Sequence, residues 1–328
     1  YFLCLFFVPR SPRWLFANNR VEEGKEVLVR LHGEEAGETE SEAIQKNLSE
    51  ESQVGKSAFS DLLKPALRYI LFIGIAIGIL QQATGINAVY FYATSIFTQT
   101  GIGSNSAFMQ GVLLSFTSVV FTVLAMLTID KLGRRPLLLT GIAGIAVCML
   151  LCGFGFGSAT YQLTPEKIAA LEGVDTTKLA EVQNVTFDSD VAFKNKMKEL
   201  LGAQVYAKHE GAILEAGTEM NATIVLAGVM GFIACFAFSL GPVMWVMLSE
   251  MYPNKIRGMA IGCVGLINSF TAWLVTQVFP WELSNLGNST TFYIFGGFAL
   301  VGFFLLFKIL PETKGKTLEQ LESELVKS

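Results

Sequence analysis

Four uncharged polar residues, Gln81, Gln82, Thr84 and Asn87, stand together in the apolar run GILQQATGINAVYFY. A primary amide both donates and accepts hydrogen bonds, so a cluster of amides suits a neutral ligand that carries many hydroxyl groups. The competing role is to join helices inside a bilayer, at about 0.6–2 kcal/mol per contact. On a straight helix Gln81, Gln82 and Asn87 project near ~0°, ~100° and ~240°, so no single face holds all three. They converge only where the helix is interrupted, and Gly85 is the residue suited to that. A second interruption is expected at Gly241-Pro242 in SLGPVMW, because proline costs a helix interior about 3 kcal/mol unless the freed carbonyls find partners. Trp245 follows one turn later. Its indole can stack on the apolar face of a sugar ring and donate one hydrogen bond, or serve as a tryptophan of the membrane interface. Asn268 is the other lone amide in an apolar run.

The elements that position these residues are membrane helices. The chain has 328 residues, 52% hydrophobic and 16% charged, with a mean hydropathy of +0.48. Soluble domains carry about 25% charged residues, so a water-soluble enzyme and a disordered chain are both poor readings. Six stretches are long enough to span: 69–97, 106–129, 136–158, 222–249, 259–281 and 290–307. None contains Asp, Glu, Lys, Arg or His, and Lys308 sits just past the last. That argues against a buried proton relay or a counter-ion for a charged substrate, and it leaves no nucleophile and base for an intramembrane enzyme. No catalytic residue, cofactor or metal site is expected. The five cysteines show neither CxxC spacing nor a neighbouring His, and Cys148 and Cys152, which share a helix face, read as packing residues. The net charge of −4, spread over loops, points to no nucleic-acid partner.

Orientation follows from Lys and Arg. Nine fall in 10–68, three in DKLGRRP (130–136), two in PNKIRG (253–258) and four from Lys308 onward, whereas 98–105 and 282–289 have none. The basic segments therefore face the cytoplasm, and the polar segment 159–221 faces outside. Residues 1–9, too few to span, read as the end of a helix that begins upstream. In VEEGKEVLVRL, Val21, Leu28 and Leu31 are expected on one helix side, and the following GEEAGETESE reads as a solvated acidic linker. Segment 159–221 has no Cys and carries helix-like patches such as KNKMKELLGAQVYAKH. Asn184, Asn221 and Asn288 each open an N-glycosylation sequon.

Taken together, QQATGINAVYFYATSIF, DKLGRRP, GPVMWVMLSEMYPNKIRG and PETKGKTLEQLE, in that order and with PRSPRWL near the start, resemble the C-terminal half of the sugar porter family of the major facilitator superfamily. The resemblance covers almost the whole chain, with 159–221 the main exception. It implies an all-α membrane protein, the six-helix half of such a transporter. Residues 1–9 would end helix six, 10–68 form a cytoplasmic helical linker, and 69–158 hold helices seven to nine. Residues 159–221 would be a long extracellular loop, 222–310 helices ten to twelve, and 311–328 a cytoplasmic tail.

The resemblance implies substrate contacts at Gln81, Gln82, Asn87, Trp245 and Asn268, and an outer gate at Phe91 and Tyr92. It also implies a cytoplasmic ion-pair latch of Arg13, Asp130, Arg134, Arg135, Glu250, Arg257 and Glu312. Four positions depart from the family pattern: Phe91 for a gate tyrosine, Ser118 for an eighth-helix amide, Ser269 for an aromatic, and Arg10 for an acid in PRSPRWL. The implied activity is alternating-access transport of a neutral monosaccharide, foremost a hexose such as glucose, across the plasma membrane. Its partners would be the sugar or polyol, the lipid bilayer, an N-terminal half and, if transport is coupled, protons. A proton-coupled myo-inositol symporter and a non-transporting sugar sensor of the same fold are the alternatives.

Overall fold

The computed structural model describes residues 10–53, 62–98, 100, 104–253 and 256–315. The helix end expected at 1–9 and most of the tail expected at 311–328 lie outside these residues. The chain forms two compact units, Tyr1–Asp61 and Leu62–Ser328.

The first unit holds α1 (Pro12–Ala17), α2 (Val21–His32) and α3 (Glu34–Gln53). Pro12 opens α1 where a missing N–H costs nothing. Phe16 and Leu28 are buried, and Gly24 makes room for Phe16: a Cβ there would stand 2.6 Å from the ring. The buried stripe of α2 therefore runs through Gly24 and Leu28. Leu31 is 59% exposed and does not share it, contrary to the pattern read from the sequence. The acidic run is also not a linker but the first half of α3. Glutamate is a good helix former, Glu34 and Glu35 sit in the first turn where the helix dipole favours negative charge, and Gly33 at φ +85° ends α2 just before.

Among the described residues the second unit contains six helices long and apolar enough to cross a membrane: Leu67–Phe91, Gly111–Leu132, Arg134–Gly157, Ala222–Met251, Arg257–Asn285 and Gly287–Ile309. The first is made of α4 (Pro65–Ala83) and α5 (Ile86–Phe91), followed by the short α6 (Ala93–Thr98). Next come α7 (Ser104–Leu132) and α8 (Arg134–Gly157). Small residues let α8 lie close to its neighbours. A Cβ at Gly153 would meet Tyr293 at 2.8 Å and one at Gly155 would meet Val225 at 2.8 Å. In return, glycines of the Ala222–Met251 span receive the α8 cysteines, Gly231 lying against Cys148 and Gly228 against Cys152, so both thiols serve packing. By contrast α7 turns Phe116, Val119 and Leu127 outward.

Between α8 and the fourth span, segment 159–221 is a folded module rather than a loop. Strands β1 (Thr160–Gln162), β2 (Thr186–Phe187) and β3 (Thr218–Glu219) form an antiparallel sheet in the order β2-β1-β3. Around it stand α9 (Pro165–Ala169), a 3₁₀ turn (Thr176–Val182), α10 (Asp190–Leu201) and α11 (Ala203–Gly217). The patch KNKMKELLGAQVYAKH is thus two helices, divided by Gly202 at φ +85°. Tyr161, Leu179, Phe193, Met197 and Tyr206 fill a core separate from that of the spanning helices.

The remaining helices are α12 (Ala222–Phe238), α13 (Leu240–Met251), α14 (Arg257–Asn285) and α15 (Gly287–Ile309). The interruption expected at Gly241-Pro242 falls instead at Ser239, whose φ −132° and ψ −94° separate α12 from α13. Pro242 then lies in the first turn of α13, where its missing N–H breaks no helical bond. Asn288 is 1% exposed and neither side-chain amide atom has a hydrogen-bond partner among the described residues, so this sequon is closed to a glycan in the folded chain. Asn221 caps α12 by accepting from the Thr223 N–H at 3.1 Å, and Asn184 is exposed.

Candidate functional site

The helix break at Gly85 builds the site. α4 closes with the Thr84 hydroxyl donating to the Gln81 carbonyl at 2.9 Å and the Gly85 N–H donating to the Gln82 carbonyl at 2.9 Å. Gly85 adopts φ +87°, and a Cβ there would press on the Phe295 ring at 3.1 Å, so both backbone and packing call for glycine. With the axis broken, Asn87 swings back and donates to Gln82 Oε1 at 2.9 Å. Gln82 Nε2 in turn reaches Gln81 Oε1 at 3.3 Å and Asn268 Oδ1 at 3.2 Å. Asn268 Nδ2 donates to Gln81 Oε1 at 2.7 Å and to the Gly78 carbonyl at 2.8 Å. Gln81 Nε2 donates to the Leu240 carbonyl at 2.9 Å, tying the cluster to the start of α13.

Four amides from α4, α5 and α14 therefore form one network. Gln81, Gln82 and Asn268 are buried and Asn87 is half-buried, so the network meets the outside through Asn87. Gly78 allows this closeness, since a Cβ there would stand 2.9 Å from Val264 of α14. Buried amides that hold one another are pre-oriented, and ligand hydroxyls can exchange for these bonds without reorganising the helices.

Trp245 is not part of the network. It lies on α13 opposite the buried stripe of Val243, Met244 and Met247, is 42% exposed, and its ring edge stands 4.0 Å from where a Gly265 Cβ would be. Phe91 is 72% exposed at the end of α5. Tyr92 packs on Phe279 (ring centroids 5.3 Å apart), and Phe279 stacks on Phe295 (5.9 Å). A row of rings thus runs from Tyr92 to the ring that touches Gly85. Phe279 and Phe295 are not singled out by the sequence, where aromatics in apolar runs carry no distinguishing signal. Of the departures, Ser118 is half-buried on α7 and Ser269 exposed on α14.

Where α7 meets α8, Arg134 is the centre of the charges. It bonds Glu250 through Nε at 3.1 Å and Nη2 at 2.8 Å, and pairs with Asp130 at 3.0 Å. A forked, partly buried pair of this kind is among the stronger ones. Glu312 caps α8, its two carboxylate oxygens accepting the N–H groups of Arg134 (3.1 Å) and Arg135 (3.2 Å). Gly133 at φ +94° permits the approach: a Cβ there would lie 2.7 Å from Glu312 Oε2. Thr313, which sequence reasoning misses, donates to Glu250 Oε2 at 2.6 Å. The Arg135 guanidinium forms no ion pair with a carboxylate among the described residues. Its Nη2 donates to the Phe307 carbonyl at 2.9 Å, and its guanidinium lies over the Phe307 ring at 5.6 Å. The Arg257 Nε donates to the Tyr252 carbonyl at 3.1 Å. Arg13 belongs to the first unit, and the other latch residues to the second.

A family profile described as "Sugar (and other) transporter" matches residues 1–172 and 201–325. The chain belongs to this family. It is 30% identical to the arabinose-proton symporter of Bacillus subtilis and to the major myo-inositol transporter IolT of the same organism. These alignments cover 100% and 98% of the chain but only 57% of each relative's length. Among solved structures it resembles the major facilitator superfamily proton:xylose symporter XylE bound to 6-bromo-6-deoxy-D-glucose. There the TM-score is 0.68 at 27% identity, over 98% of this chain and 56% of that one. The unmatched residues 173–200 hold the 3₁₀ turn, β2 and most of α10 of the 159–221 module.

Proposed function

We propose that this chain forms the C-terminal half of a sugar porter that carries a neutral monosaccharide, foremost a hexose such as glucose, through the plasma membrane by alternating access. The observation that carries the reading is the amide network of Gln81, Gln82, Asn87 and Asn268 at a helix break. It offers paired donors and acceptors, no charge, and a hinge in one place. Sugar hydroxyls would exchange with amide–amide bonds of similar strength, so binding is weak enough for release on either side. Trp245, on the neighbouring helix, would offer its exposed ring to the sugar's apolar face. The row Tyr92–Phe279–Phe295 would carry motion of α5 and α6 to the break at Gly85. The pairs around Arg134 and the Glu312 cap would hold the cytoplasmic end closed while the outer side is open, as a bistable latch. The N-terminal half, the other partner in this reading, would cover outward faces such as that of α7.

A proton-coupled myo-inositol symporter is the second reading, supported by the likeness to the myo-inositol transporter and by relatives named as proton symporters. Uptake of labelled glucose, xylose and myo-inositol by the complete transporter in transporter-deficient cells, with and without a protonophore, separates the two. Glucose uptake that ignores the protonophore supports a hexose carrier, and protonophore-sensitive uptake led by myo-inositol supports the symporter. No uptake of any of the three at normal surface expression refutes both.

A further inference from the structure

A cavity of about 440 Å³ opens between the outer end of the first span and α11 of the outer module. Small-molecule pockets occupy about 300–1,000 Å³, so it is of ligand size. Phe91, Tyr92, Thr94 and Thr98 line one wall, and Glu210 and Gly211 the other. None of the described residues lining it carries a positive charge. It is separated from the break at Gly85 by α5, about 9 Å long at 1.5 Å per residue.

The walls are held in place. Tyr206, buried in the module's core, donates its hydroxyl to Glu210 Oε1 at 3.3 Å. Burial pushes the Tyr206 phenol well above its ordinary pKa, so the donor keeps its proton and Glu210 its orientation. Tyr92 is fixed by Phe279, while the Phe91 ring stays open. The module itself is clasped to the spanning helices by Asp190. Its Oδ2 accepts the Asn288 N–H at the start of α15 at 3.2 Å and pairs with Lys194 at 3.2 Å, both side chains being buried. Gly287 at φ +82° admits this carboxylate, since a Cβ there would lie 2.5 Å from Asp190 Oδ1. Asp190 and Lys194 fall within 173–200, so the clasp lies outside the residues that the family profile matches.

An open aromatic face, several hydroxyls and one oriented carboxylate acceptor are the groups that hold an uncharged polyol. We propose that this cavity is an outer docking subsite for the same neutral sugar or polyol, with Phe91 as the stacking surface and Glu210 as the hydroxyl acceptor. The inference rests on the sugar reading above. In it the outer module walls the entrance to the amide network.

The test places a cysteine at Thr94 (Thr94→Cys) in the complete transporter and follows its labelling by a membrane-impermeant maleimide, with the parent protein as blank. Glucose, xylose, myo-inositol and choline are the added probes. The proposal expects a transported sugar to slow labelling, and to do so equally in a Gln82→Ala background, where the amide network is impaired. Glu210→Gln should then raise the half-protecting concentration about tenfold, the loss expected for a charge-assisted hydrogen bond. Protection that vanishes with Gln82→Ala would come from the amide network, overturning the subsite and leaving the sugar reading intact. Absence of protection in a protein that transports one of the sugars also overturns the subsite alone, as does protection by choline and not by sugars. A protein that transports none of them overturns the sugar reading and the subsite together.

Discussion

Replacing Gly85 by alanine tests whether the helix break organises the site. The backbone there has φ +87°, and placing an L-residue in the left-handed region costs about 1–2 kcal/mol. The new methyl would also meet three Phe295 ring atoms at 3.1 Å, and overpacking a tight core costs about 1–3 kcal/mol. Together the penalty is about 2–5 kcal/mol, enough to straighten α4 into α5 locally or to destabilise the protein. Straightening would carry Asn87 away from Gln82 Oε1, because on a continuous helix it projects ~240° from Gln81. The assay is thermal unfolding of the purified complete transporter, with and without saturating sugar. Gly85→Ala should unfold at lower temperature and lose most of the sugar-induced stabilisation. The added substitution Phe295→Leu, which removes the ring contact but not the backbone strain, should recover only part of the loss. An unfolding temperature and sugar response equal to the parent's would show that the break does not organise the site.

Three further outcomes are expected from the same structure. Trp245→Ala should abolish sugar-dependent quenching of tryptophan fluorescence and weaken binding by about 0.5–1.5 kcal/mol, the range for aromatic contacts beyond area burial; titration of the emission checks it. Glu312→Ala orphans two N–H groups at the start of α8 and should destabilise by about 1–2 kcal/mol, with Glu312→Gln recovering part of it, as denaturation of the two variants would show. Asn288→Gln should leave electrophoretic mobility before and after endoglycosidase treatment unchanged, because the Asn288 side chain is buried.

Much of the site is legible because its residues contradict a straight helix. Gln81, Gln82 and Asn87 point three ways at 3.6 residues per turn, so the sequence itself calls for a break, and Gly85 is the one residue there without a steric objection. That Asn268 closes the network is not derivable from spacing, since its partners lie 186 and 187 residues away. Local reasoning misplaces the second break: Pro242 signals disruption, but a proline is comfortable in a first helical turn, and Ser239 carries the irregular backbone. Reading the acidic run at 33–42 for its charge gives too little weight to the helix propensity of glutamate. The folded module at 159–221 escapes notice because its core residues, among them Tyr161, Leu179, Phe193 and Tyr206, are scattered over short elements with no common period. The clasp made by Asp190 is equally silent, a carboxylate in a polar stretch that only tertiary structure brings to a helix start 98 residues away.

Whether sugar binds at the amide network is decided by equilibrium binding of labelled sugar to the purified complete transporter, parent against Gln82→Ala. Gln82 joins Gln81, Asn87 and Asn268, so its loss should remove one or two ligand hydrogen bonds and raise Kd by about tenfold or more, with helical content and surface expression unchanged. A Kd equal to the parent's would place the sugar elsewhere and overturn the assignment of the site.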